Sequence, residues 1–181
     1  MPSQIRFTGP HITDAQLREF EQQRKVTLPV DYRAFLLEAN GGVPVPNAFP
    51  FKWGSADAYA HVGRFFGLGY PAGMYDLGRE QGRGWPAQER ISSRFFIVSM
   101  DYTNSLFNLV CIVIAGDETG YIYYLPQYPQ YDLDGNAAPK ADEDFETDYP
   151  VSFFVAASFT EFLKLLVVPP PGLFETGTEW E

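Results

Sequence analysis

Residues 27–42, TLPVDYRAFLLEANGG, constrain the fold most, because they encode an amphipathic helix together with both of its ends. Pro29 suits the first helical position, where its missing N–H has no partner within the helix. Gly41 suits the left-handed backbone conformation that ends a helix. Four apolar residues recur at spacings of three and four and define one face: Tyr32, Phe35, Leu36 and Ala39. This pattern predicts a helix packed on a core.

A second helix is predicted just upstream, in ITDAQLREF. Thr13 and Gln16 have the spacing of a capping box, and Ile12 and Leu17 have the spacing of a hydrophobic staple. Only KVTL is expected to separate this helix from the next, so the two helices are expected to lie close together.

Strand signals dominate the middle of the chain. Three apolar, β-branched or aromatic runs, FFIVSM, LFNLVCIVI and YIYYLP, are separated by the turn-like DYTNS and AGDETG. They predict an antiparallel meander whose central strand is covered on both faces. Cys111 lies in that central strand and is expected to be a small buried residue, without a second cysteine to pair with.

The last predicted elements are a strand in PVSFFVAA and a helix in SFTEFLKLL. Ser158 and Glu161 have the spacing of a second capping box, and the prolines at 169–171 end the helix. Residues 43–55, VPVPNAFPFKWGS, are expected to form a pinned loop without regular structure because of their prolines. Residues 70–90 leave open whether a short helix forms.

These elements predict an α+β fold, in which an N-terminal helix pair and a C-terminal helix pack against the antiparallel sheet of the central meander. We expect a single domain over residues 1–168, an acidic loop insertion at 131–148 and a Pro-initiated acidic tail at 169–181. No apolar run approaches the roughly 18 residues of a membrane span, and the first residues lack a signal-peptide pattern, so a cytoplasmic location and no membrane partner are expected.

The net charge of −10 is concentrated in two places. Residues 131–148 contain seven acids and one base, Lys140, for a net −6, and the tail adds three acids. Such a localised acidic field repels nucleic acid and favours a basic protein partner. The alternative is a solvated loop that only keeps the protein soluble.

Tyrosines precede this acidic segment directly. Tyr121, Tyr123 and Tyr124 lie in a predicted strand, where packing in the sheet is the favoured role, whereas Tyr128 and Tyr131 lie between prolines and acids. Tyrosine contributes contact area at low entropic cost and is enriched at binding hot spots. The predicted partner-binding residues are therefore Tyr128, Tyr131, Asp132, Asp134, Asp142, Glu143, Asp144, Glu146 and Asp148.

The sequence carries none of the common catalytic motifs. The sequence has no G-x-S-x-G, no P-loop and no H-E-x-x-H, and GLGYPAG has the wrong spacing for dinucleotide binding. His11 and His61 lack the cysteine or carboxylate pattern of metal ligands. DLDGN at 132–136 fails as a calcium loop, because neither register places both the glycine and the final glutamate. We expect no enzymatic activity, cofactor or metal.

Three separated segments carry a family likeness. LPVDYRAFLLEANGG resembles the opening signature of the SUKH superfamily of Smi/Knr-like proteins, in which Leu-Pro begins a helix and Asn-Gly-Gly ends it. FFIVSMDYTNSLFNLVCIVIAGDETGYIYYL resembles the family's paired strands, with a glycine before the last one. AASFTEFLKLL resembles its final Ser-Phe-x-x-Phe-Leu helix.

The resemblance implies an α+β fold without enzymatic activity. In bacteria it implies an immunity protein that binds and neutralises a toxin, often a nuclease, encoded by a neighbouring gene. The alternative that it leaves open is a regulatory or scaffolding module that binds cellular signalling proteins, as in fungal relatives. Partners of immunity proteins are expected to vary, so the resemblance implies no particular site residues.

Overall fold

The computed structural model describes residues 4–53, 56–70, 75–81, 93–101, 108–126 and 152–168. Their α+β architecture confirms the predicted fold class, with four helices and antiparallel sheets. The helices are α1 (Asp14–Arg24), α2 (Val30–Glu38), α3 (Leu77–Glu80) and α4 (Phe159–Leu165). The strands are β1 (Gln4–Arg6), β2 (Val43–Val45), β3 (Ala48–Trp53), β4 (Ala56–His61), β5 (Arg64–Phe65), β6 (Phe95–Asp101), β7 (Asn108–Val113), β8 (Ile122–Leu125) and β9 (Phe153–Ala156).

The predicted start of α1 is confirmed. Thr13 is the N-cap residue, its hydroxyl accepts from the Gln16 N–H, and the Gln16 side chain accepts from the Thr13 N–H at 2.8 Å. This capping box satisfies two N–H groups that the first helical turn leaves without partners. Arg33 then joins α2 to α1, because its guanidinium forms ion pairs with both Asp14 and Glu21.

The ends of α2 differ from the prediction by one residue each. Pro29 occupies the N-cap position, so the helix begins at Val30. The first left-handed residue after the helix is Asn40, with φ of 49°, and Gly41 follows with φ of 87°. Asn40 tolerates this conformation because its short polar side chain can form local hydrogen bonds. The predicted apolar face is confirmed, since Tyr32, Phe35, Leu36 and Ala39 are all buried.

A five-stranded antiparallel sheet in the order β5-β6-β7-β8-β9 forms the centre of the fold. The predicted meander is β6, β7 and β8, and every residue of β7 is buried, as expected for a middle strand covered on both faces. The predicted strand before the last helix is β9, which pairs with β8 at the edge of the sheet.

The prediction of an irregular loop at residues 43–55 is wrong for the part that the structure describes, residues 43–53. This part forms β2, which pairs with β1, and β3, which pairs with β4. Both sheets have two strands, so every strand in them is an edge strand, where a proline without an N–H is tolerated. Phe49 and Phe51 alternate with Pro50 in β3 and are buried, whereas Pro50 is not.

Aromatic rings fill the space between the five-stranded sheet and the helices. Phe65 of β5 contacts Phe35 of α2 and Phe159 of α4, with ring centroids 5.2 and 5.3 Å apart. Phe49 contacts Phe162 of α4 at 5.1 Å, which places the β3–β4 hairpin against the same core. Ser158 begins α4 as predicted, and its hydroxyl accepts from the Glu161 N–H. We call the sheet face toward α4 the inner face and the opposite face the outer face.

Candidate protein-binding site

All nine residues predicted from the sequence to bind a partner lie outside the described residues. They are Tyr128, Tyr131, Asp132, Asp134, Asp142, Glu143, Asp144, Glu146 and Asp148. The structure nevertheless fixes the two ends of the segment that contains them, because β8 ends at Leu125 and β9 begins at Phe153. The segment between these strands, which we call the acidic connection, therefore starts and returns at adjacent antiparallel strands on the edge of the sheet.

The tyrosines of the β8 region divide between the two faces of the sheet. Tyr124 points to the inner face, is 2% exposed, and contacts the rings of Phe49 and Phe51 at 5.6 and 5.0 Å. Tyr123 precedes it and points to the outer face, because successive side chains of a strand alternate. The predicted packing role is thus confirmed for Tyr124, whereas Tyr121 and Tyr123 are only partly buried.

Four rings on the outer face form a continuous cluster, which we call the outer aromatic patch: Phe95, Tyr121, Tyr123 and Phe154. Phe154 contacts Tyr121 and Tyr123 with centroid distances of 5.4 and 5.9 Å, and Tyr123 contacts Phe95 at 5.4 Å. All three contacts are edge-to-face, the arrangement that aromatic quadrupoles favour. Phe154 is 51% exposed, so an apolar ring lies at the surface of the patch.

A polar pair borders this patch at the β7–β8 turn. The Arg94 guanidinium lies 3.1 Å from one Glu118 oxygen, and the Tyr123 hydroxyl donates to the other oxygen, also at 3.1 Å. The Arg94 guanidinium also lies over the ring of Phe95, 4.9 Å from its centroid. Partial burial, followed by the hydrogen bond to Glu118 and the charge of that carboxylate, raises the pKa of Tyr123. Tyr123 is therefore a neutral phenol at physiological pH, held in place by its acceptor.

Comparison with protein families identifies the scaffold that holds this surface. The model of the SMI1/KNR4 family (SUKH-1) matches residues 11–165. The chain belongs to the SMI1/KNR4 family. No curated protein and no solved structure matches it.

The three segments with the SMI1/KNR4 likeness meet at one open groove of about 830 Å³. The groove is lined by residues 27–31 at the start of α2, by Gly120 before β8, and by Ala157, Ser158 and Thr160 at the start of α4. Asp31 links the two helices, because its carboxylate accepts from the Thr160 N–H at 2.9 Å and from the Tyr32 N–H at 2.9 Å. Since both Asp31 oxygens are already hydrogen-bonded, we interpret this SMI1/KNR4 groove as a junction of the scaffold.

The described part of this SMI1/KNR4 protein contains no group of three or more histidine, cysteine or acidic side chains that could hold a metal ion. Cys111 is fully buried, and burial raises the pKa of its thiol, so it is not a reactive thiolate. None of the described helices is long and apolar enough to cross a bilayer.

Sequence reasoning missed the outer aromatic patch, since its residues come from β6, the β7–β8 turn, β8 and β9. The alternation in YIYY indicates that Tyr121 and Tyr123 face one side of the strand and that Ile122 and Tyr124 face the other. It does not indicate which face is the core, or that Phe95 and Phe154 lie beside them. The strand register determines the patch, because it pairs Phe154 with Tyr123.

Proposed function

We propose that this protein is a non-enzymatic immunity protein, which binds a toxin encoded by a neighbouring gene and blocks its action. Membership of the SMI1/KNR4 family is consistent with a protein-binding module. The observation that supports an acidic interface is the position of the acidic connection. The connection has a net charge of −6, and its two ends join β8 and β9. These are the strands that contribute Tyr123 and Phe154 to the outer aromatic patch.

The physical basis is charge complementarity. A toxin that acts on nucleic acid presents a basic surface to the phosphate backbone, and a cluster of carboxylates competes for that surface. Tyr128 and Tyr131 would add apolar contact area at the first part of the connection, and the acids Asp132, Asp134, Asp142, Glu143, Asp144, Glu146 and Asp148 would supply the charge. Binding over the basic surface excludes the substrate, so neutralisation requires no chemistry from the immunity protein.

The test measures binding to the purified toxin domain encoded beside the gene for this chain. The variant replaces Asp142, Glu143, Asp144 and Glu146 by the corresponding amides. Exposed ion pairs contribute about 0.2–1 kcal/mol each, so losing four carboxylates should weaken binding by about fourfold at the least and by several-hundred-fold at the most. The wild-type affinity should also fall between about 0.05 and about 0.5 M salt, because exposed charges are screened over roughly 8–10 Å at physiological ionic strength.

A control removes three charges elsewhere, by amide substitution of Glu19, Glu38 and Asp57, all on the exposed surface of described elements. The control should retain most of the wild-type affinity. Equal losses in both variants would show that only net charge matters, and would remove the acidic connection as an interface. If the wild-type protein does not bind the toxin or protect cells that express it, the immunity function is wrong, and a regulatory role with a cellular protein partner replaces it.

A further inference from the structure

We infer that the outer aromatic patch is the apolar anchor of the toxin interface, and that it receives the stem of an arginine or lysine from the basic surface of the toxin. This inference rests on the proposed function and adds to it a second surface, made of described residues. The patch consists of Phe95, Tyr121, Tyr123 and Phe154 on the outer face of the sheet.

The first reason is that the patch is rigid before it binds. Tyr121 and Tyr123 both pack edge-to-face against Phe154, and the Tyr123 hydroxyl donates a hydrogen bond to Glu118. Aromatic side chains have few rotatable bonds, so an ordered cluster loses little entropy on association. Phe154, which is 51% exposed, therefore offers apolar area that a partner can cover at low cost.

The second reason is position. Phe154 lies two residues after Ser152, where the acidic connection returns to the sheet, and Tyr123 lies two residues before Leu125, where it departs. Two residues of an extended strand span about 7 Å. A protein that contacts the acidic connection near either end is therefore within side-chain reach of the patch, and the two surfaces form one interface.

The third reason is chemical. Arginine and lysine place apolar stems on aromatic surfaces while the charged end reaches toward carboxylates or the face of a ring. None of the four residues of the patch is charged, and the cation at its border, Arg94, is paired with Glu118. A basic toxin surface thus fits both parts of the interface, with its stems over Phe154 and its charges toward the acidic connection.

The experiment compares Phe154→Ala with Phe7→Ala in binding to the purified toxin domain from the neighbouring gene. Phe7 is a matched control, because it is also an exposed phenylalanine, at 61%, and it follows β1, whose partner β2 contacts β5 at the opposite edge of the sheet. Phe154→Ala should weaken binding by about 30-fold, the scale of a hot-spot aromatic, and Phe7→Ala by less than about twofold.

Salt distinguishes the anchor from the charges. The ratio of the Kd of Phe154→Ala to that of the wild type should be the same at about 0.5 M salt, because apolar contact is not screened. The corresponding Kd ratio of the four-amide variant should become smaller at that salt concentration. Tyr121→Ala, a second change in the patch, should reproduce the loss if Phe154→Ala does not fold. Wild-type affinity in both patch variants would overturn the anchor and leave the proposed function intact. A wild-type protein that does not bind the toxin would overturn both.

Discussion

Asn40 offers a sharp test of how the signature segment holds the fold together. Its side chain is 2% exposed and joins three parts of the chain: the amide nitrogen donates to the Pro10 and Leu68 carbonyls at 2.7 and 2.9 Å, and the amide oxygen accepts from the Leu68 N–H at 2.7 Å. Two glycines surround it closely, since a Cβ on Gly9 or Gly67 would lie 2.3 or 2.0 Å from the Asn40 carbonyl oxygen. We therefore expect Asn40→Ala to be strongly destabilising.

The magnitude follows from two separate losses. Three hydrogen bonds at about 1 kcal/mol each give about 3 kcal/mol. The left-handed backbone at Asn40, with φ of 49°, adds about 1 kcal/mol for an alanine, whose Cβ clashes there. The sum of about 4 kcal/mol is a large part of the about 5–15 kcal/mol by which a domain is stable.

Urea unfolding followed by circular dichroism measures this loss, with Asn40→Gly as the informative comparison. Glycine accepts the left-handed conformation, so Asn40→Gly should lose only the hydrogen bonds and be about 1 kcal/mol more stable than Asn40→Ala. A loss below about 1 kcal/mol in Asn40→Ala would show that water replaces the side chain, contrary to its burial. Equal stabilities of the two variants would show that the backbone contribution is absent.

Three further outcomes follow from described contacts. Asp31→Ala should cost about 1 kcal/mol in urea unfolding, because it removes the acceptor for the Thr160 N–H at the start of α4, and an unchanged midpoint would contradict this role. Tyr32→Phe should leave stability unchanged or raise it by up to about 2 kcal/mol, since the buried hydroxyl has no hydrogen-bond partner among the described residues; a clear loss would reveal one. The pKa of Tyr123 is raised from its ordinary value of 10.0, so its protonated form stabilises the fold below that pH and this contribution is lost as pH rises through the folded-state pKa. The difference in phenolate absorbance between wild type and Tyr123→Phe should therefore titrate above pH 10, and a midpoint at or below the ordinary value would refute the link to Glu118.

The elements predicted well from sequence are those whose signals are local. The Thr13–Gln16 capping box and the spacing of Tyr32, Phe35 and Leu36 involve residues within one or two turns of a helix, so they can be recognised without knowing the rest of the fold. The fully apolar β7 likewise indicates a central strand, because only a strand covered on both faces can bury every side chain.

The elements that sequence reasoning missed depend on tertiary neighbours. Proline is compatible with β3 because β4 is the only described strand that pairs along it, apart from one bridge between Ala48 and Val167. Nothing local indicates which edge of a strand will be open. The outer aromatic patch depends on the β8–β9 register, where Phe154 pairs with Tyr123 across a connection of more than twenty residues. Local patterns identify such residues as strand formers, but they do not specify the pairing.

In the proposed interface, the division of aromatic residues between the two faces of the sheet separates the residues that contact a partner from those that form the core. On the inner face, Tyr124 is enclosed by Phe49 and Phe51, so a change in its shape affects the core directly. On the outer face, Phe154 is half exposed and contacts its neighbours at ring edges, so its replacement removes surface area without opening an internal cavity. Because Tyr123 and Tyr124 are adjacent in one strand and point to opposite faces, the core contact and the proposed partner contact belong to neighbouring residues. A surface built in this way can change its side chains, and with them its partner, while the helix signature and the inner face continue to specify the fold.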